Sequence, residues 1–149
     1  MKKSLYIILS LFCLNIFTSV YAQNNFMSGS GKSKQGSESA KVFSDISRGI
    51  ANQDVEAIAS YFSSQTYLSL SSGINGYYSS NQAYYVLEDF FKIYRVAAFR
   101  FNNIQTDSNN PYATGEYQFE FRGKRDTAQV YVSLKKAGNK WKITQITID

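Results

Sequence analysis

Tyr112-Ala113-Thr114-Gly115-Glu116-Tyr117-Gln118-Phe119-Glu120-Phe121-Arg122 carries the clearest strand pattern of this chain. Apolar or small residues occupy every second position from Ala113 to Phe121, and mostly polar or charged residues stand between them. Successive side chains of a β-strand point to opposite faces, so the pattern predicts a strand with one buried aromatic face and one hydrated charged face.

Three further strand patterns lie on either side of this one. Val96–Ile104 precedes it, and Thr127–Lys136 and Lys140–Ile148 follow it, with turn residues between them. In the last of these segments the apolar positions change parity between Ile143 and Ile146, which predicts a β-bulge there. The C-terminal half of the chain is therefore predicted to form four consecutive antiparallel strands.

The segment before these strands carries three helix patterns. The first helix has apolar residues at helical spacing from Val42 to Ile50. The second is predicted to begin after an N-cap at Asp54, and the third after Ser79, which stands at capping-box spacing from Gln82. A short strand pair, Thr66–Ser71 with Tyr77-Tyr78, is predicted between the second and third helices.

The N-terminus is typical of an exported protein. A basic tip, an apolar run from Leu5 to Phe17 and small residues before Gln23 predict a signal peptide over residues 1–22, cleaved after Ala22. Residues 23–40 are polar and rich in serine and glycine, so we expect a flexible leader there and a folded domain over 41–149. Cys13 lies inside the apolar run without a lipoprotein cleavage pattern, which favours a soluble periplasmic or secreted protein over a lipid-anchored one.

Composition excludes several kinds of chemistry. The chain has no histidine, and its one cysteine lies in the predicted signal peptide. The mature protein therefore lacks the usual ligands of transition metals, and we expect neither a metal nor a cofactor. The net charge of +5 falls to +3 without Lys2 and Lys3, which is too weak a positive charge to predict a nucleic-acid partner.

The order of elements resembles the cone-shaped nuclear-transport-factor-2-like superfamily, which includes ketosteroid isomerases. The resemblance covers nearly all of residues 41–149, and its most specific parts are the helix-break-helix segment Asn52–Phe62 and the closing segment Gly138–Ile146. The chain looks most like small exported bacterial proteins of this superfamily with no assigned function. The resemblance implies an α+β fold in which three helices pack on a strongly curved antiparallel sheet that can enclose a pocket.

Four tyrosines are the candidate ligand-pocket residues: Tyr67, Tyr84, Tyr94 and Tyr117. Their hydroxyl groups could orient an apolar ligand inside the cone, or their rings could simply fill it. Superfamily enzymes place an acid or base in this interior. Here the strand after the second helix reads Thr66-Tyr67-Leu68-Ser69-Leu70, without the catalytic aspartate of the isomerases. Glu116 and Glu120 alternate with the buried aromatic residues, so we expect them to face solvent near Arg122 and Lys135.

No catalytic residue is therefore assigned, and the leading hypothesis is a non-catalytic binding or interaction module. One alternative is a small isomerase, dehydratase or hydrolase that uses tyrosine and a carboxylate in the cone. The other is a structural accessory of a cell-envelope assembly. The partner is expected to be a small apolar ligand or a protein, including a second copy of the chain bound through the outer sheet face.

Overall fold

The computed structural model describes residues 30–149, with side chains from Gly36 onward, and its folded unit runs from Lys32 to Asp149. The helices are α1 (Ser30–Ala51), α2 (Glu56–Ala59) and α3 (Ser80–Ile93). The strands are β1 (Phe62–Leu70), β2 (Asn75–Tyr78), β3 (Arg95–Gln105), β4 (Tyr112–Phe121), β5 (Lys124–Ala137) and β6 (Lys140–Ile148). The predicted succession of helices and strands is confirmed over this part of the chain.

All six strands form one sheet in the order β2-β1-β6-β5-β4-β3. The sheet is mixed, because β1 pairs in parallel with β6, whereas the pairs β1–β2 and β5–β6 are antiparallel. The prediction of a wholly antiparallel sheet is wrong at this one pair. In β6 the partner of Ser133 is Gln145 and the partner of Leu134 is Ile143, so Thr144 is the extra residue of the predicted bulge.

Helix α1 begins at Ser30, so residues 30–40, which the sequence pattern assigned to a flexible leader, are helical. Two small residues on the buried side of the helix explain why this segment is helical and not a flexible leader. Gly36 and Ser39 are both buried, and a Cβ added to Gly36 would lie 3.3 Å from the hydroxyl oxygen of Thr106. Tertiary contact of this kind stabilises a helix whose composition alone does not predict one. The predicted signal peptide lies outside the described residues.

The predicted cap residues of the two shorter helices accept hydrogen bonds from the first turn, although the residue directly before α2 is Val55 and not Asp54. The carboxylate of Asp54 accepts a hydrogen bond of 3.0 Å from the backbone N–H of Ala57 in α2. At α3, the hydroxyl of Ser79 accepts from the N–H of Gln82, whose side chain accepts from the N–H of Ser79, which confirms the capping box. Within residues 30–149 no helix is long and apolar enough to cross a membrane.

The helices cover the face of the sheet that carries the apolar side chains. Phe43 and Ile46 of α1 and Leu87 of α3 are fully buried, as are Tyr117 of β4 and Ile143 of β6. The predicted division of β4 is confirmed: Ala113, Gly115, Tyr117 and Phe119 are buried, whereas Gln118 and Glu120 on its other face are exposed.

Candidate functional site

Aromatic side chains of α3 and β4 pack against one another on the inner face of the sheet. The Phe90 and Tyr94 rings stack with centroids 4.7 Å apart, and Tyr94 stacks on Phe121 at 4.9 Å. The Tyr117 ring lies 5.9 Å from that of Phe91 and 6.1 Å from that of Phe90. These contacts are those of a packed core.

The hydroxyl of Tyr117 is committed to a structural hydrogen bond inside this core. It donates to the backbone carbonyl of Tyr94 at 2.5 Å. Burial raises the pKa of Tyr117 well above the usual value of a phenol. The raised pKa favours the protonated hydroxyl, which is the form that donates this hydrogen bond.

No charged side chain among residues 36–149 is buried. Among residues 36–149 the only buried polar or charged residues are Ser39 and Thr66, and no aspartate or glutamate is buried. The Thr66 hydroxyl donates to the carbonyl of Ile143 at 3.1 Å, which ties β1 to β6. Neither residue supplies the carboxylate that acid–base catalysis in the cone would require.

The four predicted pocket tyrosines are distributed over different parts of the domain. Tyr94 and Tyr117 come together in the core described above. Tyr67 is half-buried on β1 and donates to the side-chain oxygen of Asn75 at 2.7 Å. Tyr84 is half-buried on α3, where it lines a surface groove. The ligand-binding role of these four residues stays a prediction.

The groove beside Tyr84 lies between α2 and α3 and has a volume of about 460 Å³. It is lined by Glu56, Ala59, Ser80, Asn81, Tyr84 and Tyr85. Tyr85 is exposed, and its ring meets that of Tyr84 edge-on at 5.1 Å. None of these lining residues has a buried side-chain polar group without a partner.

The two glutamates of β4 face away from the core, as predicted, but their neighbours differ from those expected. Glu116 pairs with Gln129 on β5 and with Arg100 on β3. Glu120 pairs with Arg125 and, on the other side, with Arg95. Lys135 lies beyond the part of β5 that pairs with β4, and it stands opposite Lys142 in the β5–β6 hairpin.

A second cavity, which we call the Trp141 cleft, opens where the middle of α1 meets the β5–β6 turn. Its volume is about 360 Å³, within the range of roughly 300–1,000 Å³ that is usual for ligand sites. Three segments line it: Glu38, Lys41 and Val42 of α1, Ser60 and Tyr61 before β1, and Asn139, Lys140 and Trp141 of the closing hairpin.

Trp141, which lines this cleft, carries a hydrogen-bond donor without a partner. The residue is only 4% exposed, and its indole Nε1 is the one buried side-chain nitrogen or oxygen in the described chain without a partner. The ammonium of Lys136 lies 5.2 Å from the ring centroid, in a cation–π contact. A buried donor left unpaired costs about 1–3 kcal/mol, so native proteins rarely keep one without a reason.

A hydrogen-bonded network around Asp45 holds α1 against the start of β1. The carboxylate of Asp45 accepts from Lys41 at 2.9 Å, from the hydroxyl of Tyr61 at 2.7 Å and from Arg48 at 2.7 Å. The hydrogen bonds from Lys41 and then Tyr61 lower the pKa of Asp45 below its usual range. The same hydrogen bonds raise the pKa values of Lys41 and Tyr61.

This network predicts a pH-dependent stability. Because the folded pKa of Asp45 lies below its ordinary value of 3.8, its contribution is present above that value and is lost as the pH falls through the folded pKa. We expect Asp45→Asn to be less stable than the wild type in urea at pH 7, and the difference to shrink towards pH 2. As a control, Asp89→Asn removes an exposed contact with Lys92 and should change stability little at either pH. An equal loss for Asp45→Asn at pH 7 and pH 2 would contradict the prediction.

Sequence reasoning missed the Trp141 cleft. The signal available was the single tryptophan of the chain, placed between Lys140 and Lys142 in the closing hairpin. Within the part of the chain that the structure describes, no three acidic residues lie close enough together to hold a metal ion.

The comparisons with known proteins identify a family and a fold. Residues 43–149 match the model of a family described as a domain of unknown function, DUF4783. No curated protein matches the chain. A crystal structure of a DUF4783 family protein from Bacteroides uniformis ATCC 8492 is similar to it with a TM-score of 0.64 and 17% identity, over 71% of this chain and 94% of that one.

Two more distant structures carry the superfamily name. A hypothetical protein from Catenulispora acidiphila DSM 44928, with a ketosteroid isomerase-like fold and in complex with trimethylamine, has a TM-score of 0.58 at 9% identity. The matched region covers 73% of this chain and 84% of that protein. A nuclear-transport-factor-2-like protein of unknown function from Shewanella oneidensis MR-1 has a TM-score of 0.53 at 11% identity, with 75% and 96% covered. At these identities the likeness shows the fold, and the predicted cone fold is confirmed.

Proposed function

Since this chain belongs to the DUF4783 family, a domain of unknown function, we propose a function from its own side chains. The protein is an exported, non-catalytic binding module that holds its ligand in the Trp141 cleft. Export rests on the signal peptide predicted over Met1–Ala22. The observation that carries the binding role is the buried indole N–H of Trp141, which has no partner among the described residues.

The packing of the interior supports a non-catalytic role. The alternative of a small isomerase, dehydratase or hydrolase needs a carboxylate and reactive tyrosine hydroxyls in the cone. The interior formed by the described residues has no buried carboxylate, and the Tyr117 hydroxyl is bound to the Tyr94 carbonyl. The Trp141 cleft, by contrast, combines a volume suited to a ligand with a donor that lacks an acceptor.

A fragment screen followed by ¹H–¹⁵N NMR on the full chain tests this function. We expect binding fragments to shift the resonances of Ser60, Asn139 and Trp141 and to leave those of Phe90 and Tyr117 unchanged. The matched variant Tyr117→Phe removes the interior hydroxyl and should bind the same fragments equally well. Fragments that shift Phe90 and Tyr117, or a screen that leaves the cleft resonances unmoved, would overturn the proposal.

A further inference from the structure

The charges around the Trp141 cleft indicate which chemical class of ligand it takes. Of the lysines in its lining, Lys41 is bound to Asp45, but Lys140 makes no ion pair or side-chain hydrogen bond with any residue in the described range. The one carboxylate in the lining, that of Glu38, lies 3.8 Å from the ammonium of Lys136. An ammonium therefore stands at the cleft without a compensating anion.

The other charged groups nearby leave the balance positive. Asp45 is shared between Lys41 and Arg48. The ammonium of Lys142 donates to the carbonyl of Ser60 at 2.6 Å and so remains an uncompensated charge. Partly enclosed sites of one sign raise the local concentration of the opposite charge, which favours an anionic ligand here.

The lining of the Trp141 cleft also favours a ligand that has an apolar part. Val42, which is buried, Tyr61 and Trp141 are among its lining residues. An inorganic anion has no apolar surface to bury against these residues, whereas a ligand with a hydrocarbon or aromatic body does.

We propose that the Trp141 cleft binds a small amphiphilic anion. Its oxyanion group, a carboxylate or a phosphate, accepts the hydrogen bond of the Trp141 indole N–H and lies against the ammonium of Lys140, with its apolar body along Val42 and Tyr61. The indole nitrogen exposes less than 1 Å², so ligand binding requires the side chain of Lys136, whose ammonium lies over the Trp141 ring, to move aside. This inference rests on the proposed function and names the ligand class of the same site.

Trp141 is the only tryptophan of the chain, so its indole N–H gives a single, assigned NMR signal that reports on the proposed hydrogen bond. The test is a titration of the ¹⁵N-labelled full chain at constant ionic strength with three probes: sodium hexanoate, the neutral isostere hexanamide, and inorganic phosphate. We expect hexanoate to move the indole signal downfield in a saturable way, and the other two probes to bind at least about tenfold more weakly, as the loss of a charge-assisted contact or of the apolar body implies.

Two pairs of variants assign the contacts. Lys140→Gln should weaken hexanoate binding by about tenfold, whereas Lys135→Gln, an equal change of charge at an exposed position of β5, should leave it unchanged. Trp141→Phe keeps an aromatic ring but removes the donor, and calorimetry should find binding at least about tenfold weaker.

The outcomes separate this inference from the function on which it rests. Equal binding of hexanamide and hexanoate at the cleft would overturn the choice of an anion and leave the binding module standing. Equal binding of inorganic phosphate would overturn the apolar body. An indole signal that none of the three probes moves would overturn the inference, and the fragment screen then decides separately whether the cleft binds anything.

Discussion

Tyr117→Ala is expected to lower the free energy of unfolding by about 3–5 kcal/mol, the usual loss when a large buried aromatic residue is truncated. Tyr117 is fully buried, contacts the rings of Phe90 and Phe91 and donates to the carbonyl of Tyr94. The loss would be read from urea denaturation followed by circular dichroism. Since this is a large share of the stability of about 5–15 kcal/mol that is common for a domain, the variant can fail to fold.

Tyr117→Phe keeps the prediction testable in that case. It removes only the hydroxyl and should cost about 0.5–1.5 kcal/mol. Tyr85→Ala, which truncates an exposed tyrosine, should stay within about 0.5 kcal/mol of the wild type. A loss below about 1 kcal/mol for Tyr117→Ala would mean that the ring borders open space, because truncation beside a cavity removes few contacts.

Gly115→Ala is the second substitution with a large expected effect. Gly115 lies in β4 opposite Phe101, beside the irregularity of β3 between Phe101 and Asn103. A Cβ at this position would collide with the backbone oxygen of Arg100 and lie 2.9 Å from the Cα of Phe101. Both obstacles are backbone atoms of a paired strand, so the sheet must shift, and we expect a loss of about 1–3 kcal/mol.

Gly36→Ala is the matched control for this substitution. A Cβ there meets the side chain of Thr106, at 3.3 Å, and alanine favours the helix over glycine by about 1 kcal/mol. The free energy of unfolding of Gly36→Ala should therefore lie well above that of Gly115→Ala. Comparable losses in the two variants would contradict the explanation from backbone contact in the sheet.

The sequence predicted what depends on short-range periodicity. Alternation in Tyr112–Phe121 located a strand and its buried face, and the parity change between Ile143 and Ile146 located a bulge, because side-chain direction in a strand depends only on position. Ser79 and Gln82 predicted a helix start for the same reason, since a capping box involves residues three apart.

Features that depend on distant contacts were not predictable in this way. The parallel pairing of β1 with β6 joins residues more than seventy positions apart, such as Leu68 and Ile146. The extension of α1 back to Ser30 depends on packing of small residues against the rest of the domain. The missing acceptor of Trp141 depends on which groups three separate segments bring to the cleft, and no pattern within the closing hairpin reports that.

We predict that the interior of the cone is filled, and xenon binding in pressurised crystals would reveal any empty space there, because xenon enters apolar cavities that water leaves empty. Leu87→Ala, which removes a fully buried side chain of α3, is the positive control and should show xenon in the new void. In the wild type we predict no xenon among Phe90, Tyr94 and Tyr117. Xenon at that place in the wild type would contradict the account and make the interior, with Tyr94 and Tyr117 in its wall, the ligand pocket.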